Sequence, residues 1–290
     1  MATCALYRIL SNDLWPRHAR GQTLANLRFL LEHEPPLPGC EKRWVVNRIL
    51  VPRAEERLIA LLERARQPYL RIPFRAEEYA AAARRREPPA DYPLASELSS
   101  AEQLAHHHKC LYALNLNGAR NAALREGRQL AEWVLPFDGA CAFDARGFDQ
   151  LRARLEERQR SAFAVPMYRL THDRDYLRLG PAQLEEDEPQ VALRHDAPIE
   201  FHEGYRYGRL NKLELLNRLE LVRPGSLLAS DAARAGYVLR LSSGRARADL
   251  SWLVALRKHA TRLHLLRTDL AWLGAAGLVR DRLARRLRRS

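Results

Sequence analysis

The feature that most limits the fold is the rhythm of residues 5–74, where short apolar runs alternate with amphipathic ones at the spacing of successive β-α units. Residues 5–10, 43–51 and 69–74 read as strands. Between them, residues 23–32 place Leu24, Leu27, Leu30 and Leu31 on one helical face, and Pro52 opens a helix whose buried stripe is Leu58, Ile59, Leu61 and Leu62. This alternation predicts an α/β fold, a mostly parallel sheet flanked by helices. With 290 residues and 47% apolar content, the chain can bury such a core without covalent staples. Cys4, Cys40, Cys110 and Cys141 form no C-x-x-C pair, so neither a disulfide framework nor a zinc knuckle is expected, and a reducing cytoplasm fits best. No signal-peptide pattern and no run of eighteen apolar residues is found.

Residues 75–110 break the rhythm: Arg84-Arg85-Arg86-Glu87-Pro88-Pro89, Pro93 and Ser99-Ser100 mark a lid or insertion on the surface. Order returns at 111–114 with a helix over 118–130, a strand over 133–137, a helix over 148–158, and strands over 163–170 and 190–194 separated by an acidic loop at 185–188. The last third changes character, with a leucine-rich helix over 208–221, a strand or loop over 236–242, and a helical stretch over 250–289 interrupted at Gly274 and Gly277. Two parts follow, a main domain at 1–220 and a helical, basic C-terminal extension at 221–290. The formal charge is +13, but residues 257–290 alone hold ten Lys or Arg against two Asp, so most of the excess is local. Leu283 and Leu287 lie one turn apart among those arginines, which suits either packing on the domain or an anionic membrane surface at the inner face. Nucleic acid is disfavoured, because the rest of the chain is only mildly basic.

One segment concentrates chemistry. Asn117-Gly118-Ala119-Arg120-Asn121 opens a helix, and the following strand Trp133-Val134-Leu135-Pro136-Phe137 ends at Asp138. The order lets a helix start and a guanidinium face an anionic ligand while an acid emerges at the mouth of a buried strand. Together with Leu6 to Asp13, the Thr23-x-x-Asn26-Leu27 helix and the Trp44 to Arg48 strand, this pattern over roughly residues 5–220 resembles the nucleotide-sugar half of a GT-A glycosyltransferase of the family-2 type.

The resemblance implies transfer of a sugar from a nucleoside-diphosphate donor to an acceptor that is a glycan, a lipid-linked molecule or a small molecule, with inversion and with metal assistance. Asn12, Asp13, Asn47, Arg48, Asn117, Arg120 and Asn121 fall where such enzymes bind the donor, and Asp138 matches the first acid of the family's D-x-D. The second and third positions here are Gly139 and Ala140, so one carboxylate would hold Mn2+ or Mg2+ with waters and phosphates completing the shell. Turn chemistry explains Asn12-Asp13 equally well, and helix capping explains one of Asn117 and Asn121. In the resembled family an E-D pair supplies the base for the acceptor hydroxyl; in the comparable segment here, 208–219, basic and amide groups stand where those acids would be, which leaves Glu203, Glu214 and His202 as candidate bases. Glu214 also stands four residues from Arg218, the spacing of an ordinary helical ion pair.

The consecutive His106-His107-His108 cannot converge on one metal and reads as a solvated turn. No Walker A, G-x-G-x-x-G, G-x-S-x-G or H-E-x-x-H pattern occurs. Two other functions share the fold: a binding protein without catalysis, and a sugar nucleotidyltransferase. The latter wants a glycine-rich basic loop after the first strand, and residues 10–22 offer only Gly21.

Overall fold

The computed structural model describes residues 3–14, 18–88, 98, 100–157, 159–205, 207 and 211–242. In chain order its elements are β1 (Cys4–Leu10), α1 (Gln22–His33), β2 (Cys40–Asn47), α2 (Pro52–Arg64), β3 (Tyr69–Ile72), α3 (Ala76–Ala82), α4 (Ala101–Leu114), α5 (Leu116–Gly127), β4 (Trp133–Asp138), β5 (Cys141–Ala142), α6 (Ala145–Leu155), β6 (Ala162–Arg169), β7 (Glu185–Arg194), α7 (Asn211–Arg218) and β8 (Val238–Arg240). The strands form one mixed sheet in the order β3-β2-β1-β4-β7-β6-β8-β5. Four of its seven pairings are parallel: β3 with β2, β2 with β1, β1 with β4, and β6 with β8. The predicted α/β class, mostly parallel and flanked by helices, is the observed one.

Every residue of β1 is buried, because helices cover both faces of the sheet at this point. Ala5, Tyr7 and Ile9 pack with Val134 against Ala119, Ala123 and Leu124 of α5. Cys4 and Leu6 point the other way and join Trp133, Leu135 and Phe137 over Phe148, Leu151 and Leu155 of α6. Arg8 is the exception on this strand, a fully buried cation. It is tolerated because its Nε donates to the Cys141 carbonyl at 2.7 Å and its Nη2 pairs with Glu34, whose carboxylate also accepts the Phe143 amide at 2.9 Å.

Three expectations change. Cys4 and Cys40 are register neighbours on β1 and β2, with Cα atoms 4.5 Å apart, and they form a disulfide, so the reading of uniformly unpaired cysteines is corrected. The acidic run 185–188 is the first half of β7 rather than a loop. Its charges are met across the sheet, Glu186 by Arg234 at 2.8 Å and Asp187 by Arg169 at 2.5 Å and Arg240 at 2.8 Å, which removes the repulsion that would keep such a run in solvent. His106, His107 and His108 lie inside α4, and His107 and His108 are buried rather than solvated. Within 75–110, α3 and most of α4 are regular helices packed against each other. No helix among the described residues is long and apolar enough to cross a membrane. The basic stretch 250–289 lies outside the described residues.

Candidate active site at the crevice between β1 and β4

The sheet order creates the crevice. From β1 the chain moves through α1 and α2 to β2 and β3 on one side, then returns through α5 to place β4 on the other side of β1. Between strands whose connections leave in opposite directions, the carboxyl ends splay and leave room for a ligand. A cavity of about 140 Å3 sits there, walled by Ser11 and Asn12 beyond β1, Asp138 and Gly139 at the end of β4, and Glu188 and Lys212 opposite. Pockets that enclose a whole small ligand run to roughly 300–1,000 Å3, so this cavity takes in a small group rather than a whole ligand.

Asp138 and Arg120 meet in this crevice. The Arg120 guanidinium, 1% exposed, reaches the Asp138 Oδ1 at 2.6 Å and is aimed there by Asn117, whose Oδ1 accepts from its Nη1 at 2.8 Å. Gln190 clamps the other side, accepting the Asp138 backbone amide at 3.1 Å and donating to Oδ2 at 2.9 Å. Lys212 then approaches Oδ2 at 3.4 Å. Although deep among protein atoms, the Asp138 side chain keeps 38% of its surface open. Burial alone would raise its pKa, but the Lys212 and Arg120 charges and the hydrogen bonds outweigh it and hold the carboxyl well below the usual carboxylate range. Gly139 follows because a Cβ there would stand 2.5 Å from the Ile9 carbonyl oxygen.

The opposite wall is built by β7, β8 and α7. Asp187 and Glu188 are consecutive, yet both line the cavity. In a regular strand they would face opposite ways. The register slips between Val165 and Met167, where Pro166 has no amide to donate, so Gln190 pairs with Val165 and Asp187 with Met167. Such bulges re-aim side chains next to sites. Asp187 is likewise depressed: desolvation opposes it, and Arg240 and Arg169 prevail. Cys141, also on the cavity wall, is pushed up to about 12 by burial and by Asp138, so its thiol stays protonated and is a poor nucleophile.

The other residues singled out in the sequence serve largely as fasteners. Asn12 borders the cavity, but its amide donates to the Arg48 carbonyl at 2.7 Å and its Oδ1 accepts from Leu50 at 2.8 Å. Asp13 caps α1, accepting from the Gly21 and Thr23 amides at 2.6 and 2.9 Å and from the Thr23 hydroxyl at 2.7 Å. Asn47 donates to the Leu114 carbonyl. Arg48, with φ of 45°, turns toward α4, where it reaches the Tyr112 carbonyl at 2.9 Å and covers the Tyr112 ring at 4.2 Å. Asn121 zips to Phe201, donating to its carbonyl at 2.9 Å and accepting its amide at 2.8 Å, and it donates to Glu203 at 3.1 Å. Asn117 donates to the His202 carbonyl at 2.8 Å, and the His202 ring stacks on Tyr205 at 4.3 Å. Glu214 pairs with Arg218 at 2.8 Å, as the spacing allowed. Glu203, His202 and Glu214 are outside the cavity wall, although Tyr207, on the same loop as Glu203, is part of it. The start of α5 is not open to a ligand amide by amide, because Asn115 accepts from Gly118 at 3.0 Å. A Cβ at Gly118 would collide with that cap at 2.3 Å.

Divalent metal fits this donor set poorly. Mn2+ or Mg2+ needs carboxylate oxygens free to approach to roughly 2.0–2.6 Å. Here Oδ1 of Asp138 holds Arg120, Oδ2 holds Gln190 and Lys212, and Asp187 holds two arginines. Among the described residues, no group of three or more His, Cys, Asp or Glu is placed to share a metal.

Asp187, Glu188, Gln190, Lys212 and Arg240 were missed by sequence reasoning. The only signal available was a pair of prolines, Pro166 inside the strand candidate 163–170 and Pro189 just before the one at 190–194, which mark a bulge. No protein-family model matches this chain, and no curated protein matches it. Among solved structures it is similar to the mannosyltransferase PcManGT from Pyrobaculum calidifontis in complex with GDP-Man and Mn2+, at 11% identity and a TM-score of 0.43, with 94% of this chain and 70% of that one covered.

Proposed function

We propose that the chain is a glycosyltransferase that moves a sugar from a nucleoside-diphosphate donor to an acceptor hydroxyl with inversion. The observation that carries this reading is the placement of Arg120, Lys212 and Arg240 around one small cavity at the β1–β4 crevice. As the bond from the sugar to the diphosphate breaks, negative charge grows on the leaving phosphate, and cations already fixed in place stabilise that charge without reorganising. Asp138 has a positioning role here: it holds Arg120 and Lys212 at the cavity wall. Asn12, Asn47, Arg48, Asn117 and Asn121 shape the donor pocket through the fasteners described above, and Asp13 does so by capping α1.

For the acceptor proton we propose Glu203. Of the cavity acids Asp138, Asp187 and Glu188, the first two are each held by two cationic side chains, which makes them weak bases, and the third faces the Lys212 ammonium at 3.9 Å. Glu203 is exposed, oriented by Asn121, and shares a loop with cavity-lining Tyr207. Calorimetry of the full chain against UDP-, GDP- and CMP-sugars, paired with an assay for released nucleotide, tests the reading. Binding with turnover is expected, and Glu203→Gln is expected to lower turnover more than tenfold with donor affinity unchanged. A folded sample silent toward all three donor classes would contradict it.

A second reading, donor binding without transfer, is favoured by one observation: none of the bases named from the sequence, Glu203, His202 and Glu214, lies in the cavity wall. Binding without any release of nucleotide would select it.

A further inference from the structure

We infer that the ammonium of Lys212 stands where a divalent cation would otherwise sit, between Asp138 and Glu188, so that this site handles a diphosphate without metal. The inference rests on the nucleotide-sugar reading and says how that site manages charge.

Three observations carry it. Lys212 is 2% exposed, and its Nζ lies 3.4 Å from the Asp138 Oδ2 and 3.9 Å from the Glu188 Oε1. A point charge placed between two carboxylates at the end of β4 and in β7 is what a bound metal would supply, delivered by a side chain that cannot dissociate. Second, the neighbouring charges are already matched. Arg120 takes the other Asp138 oxygen at 2.6 Å, and Arg240 and Arg169 take Asp187. An incoming Mn2+ would meet fixed cations and would have to displace an ammonium from its acids, which Coulomb repulsion at such short range opposes. Third, Lys212 is the second residue of α7, so the helix delivers a buried cation while its leucines hold the backbone: Leu215 and Leu216 are fully buried in the core shared with α5. An ammonium retains three donors, enough to contact the acids and still present a proton to a phosphate oxygen. Arg240, also on the cavity wall, gives that phosphate a second cation.

Two measurements on the full chain decide the matter. In the first, the free-ion electron paramagnetic resonance signal of Mn2+ is followed as protein is added. The wild type is expected to leave the signal undiminished with ~50 μM of each, and stoichiometric uptake would overturn the inference. This arm needs no nucleotide, so it stands even if the donor reading fails. In the second, UDP, GDP and CDP are titrated calorimetrically in EDTA and again in Mn2+. Whichever binds is expected to show the same Kd within about twofold in both buffers, and loss of binding in EDTA would overturn the inference. Lys212→Gln is expected to weaken that binding at least 30-fold in EDTA, while Lys212→Arg, which keeps the charge, stays within about fivefold. Equal affinity for wild type and Lys212→Gln would overturn it. Should Lys212→Gln fail to fold by circular dichroism, the wild-type comparison in EDTA and Mn2+ and the Lys212→Arg variant still decide. If no diphosphate binds in either buffer, the donor reading falls and the manganese arm alone judges the charge assignment.

Discussion

The two walls of the crevice are made by different means. The wall from β1 and the start of α1 is finished locally: Asn12 and Asp13 spend their polar atoms on backbone amides and carbonyls within the loops that follow β1 and β2. The wall from β7, β8 and α7 is finished at long range, where Asp187, Glu188 and Lys212 are balanced by side chains from other elements. The first kind of wall is tied to its own backbone and places no cation at the crevice. The second is charged, and a ligand can compete for the same cations. A site that must recognise and release an anion belongs on the second, and the contrast can be tested by changing one wall at a time.

The largest effect is expected where the two walls meet. Arg120→Ala leaves Asp138 facing one cation fewer inside the protein, and breaking a buried pair costs about 3–5 kcal/mol. Because Asp138 keeps 38% of its side-chain surface open, the lower end, about 3 kcal/mol, is expected from urea unfolding, together with loss of diphosphate binding. Next comes Gly139→Ala, whose added Cβ meets backbone at 2.5 Å. Backbone cannot swing aside as a side chain does, so about 1–3 kcal/mol of destabilisation is expected in the same assay.

Asp13→Ala addresses the other wall. It removes the cap of α1 and is expected to cost about 1 kcal/mol of stability with diphosphate affinity unchanged. A large loss of affinity would return Asp13 to the donor contacts that the sequence suggested. The smallest effect is expected at Glu214→Gln, which removes an i, i+4 pair worth about 0.3–0.5 kcal/mol.

Acidification separates the walls in another way. The folded pKa values of Asp138 and Asp187 lie below their ordinary 3.8, so the unfolded chain takes up protons first as pH falls. The stability these two acids contribute is therefore complete above the ordinary carboxylate range and is lost as pH drops below it toward the folded values. Urea midpoints measured from about pH 6 down to about pH 3 should fall, and Asp187→Asn should flatten that fall.

The parallel half of the fold was legible in the sequence because its information is local. Leu24, Leu27, Leu30 and Leu31 repeat at helical spacing, and Pro52 marks a first turn. The Arg120–Asp138 pair was legible too, since one helix and one loop separate them and the strand ends at the acid. What failed was nonlocal. Residues 185–188 look like a solvated loop until Arg169, Arg234 and Arg240 are placed beside them, and no spacing along the chain announces those partners. Lys212 reads in sequence as a departure from an acidic pattern, and only the fold shows that it sits between two acids. The buried histidines of α4 were misjudged because three polar residues in a row resemble a turn, although the Ser100–Gln103 capping box had already started a helix there.

The most direct test of the account is a crystal of the full chain grown in EDTA and soaked with saturating UDP, GDP or CDP. The account predicts diphosphate density in the β1–β4 crevice, with phosphate oxygens within hydrogen-bond distance of Lys212 and Arg240. A nucleotide bound elsewhere, or a crevice left empty by all three, would contradict it.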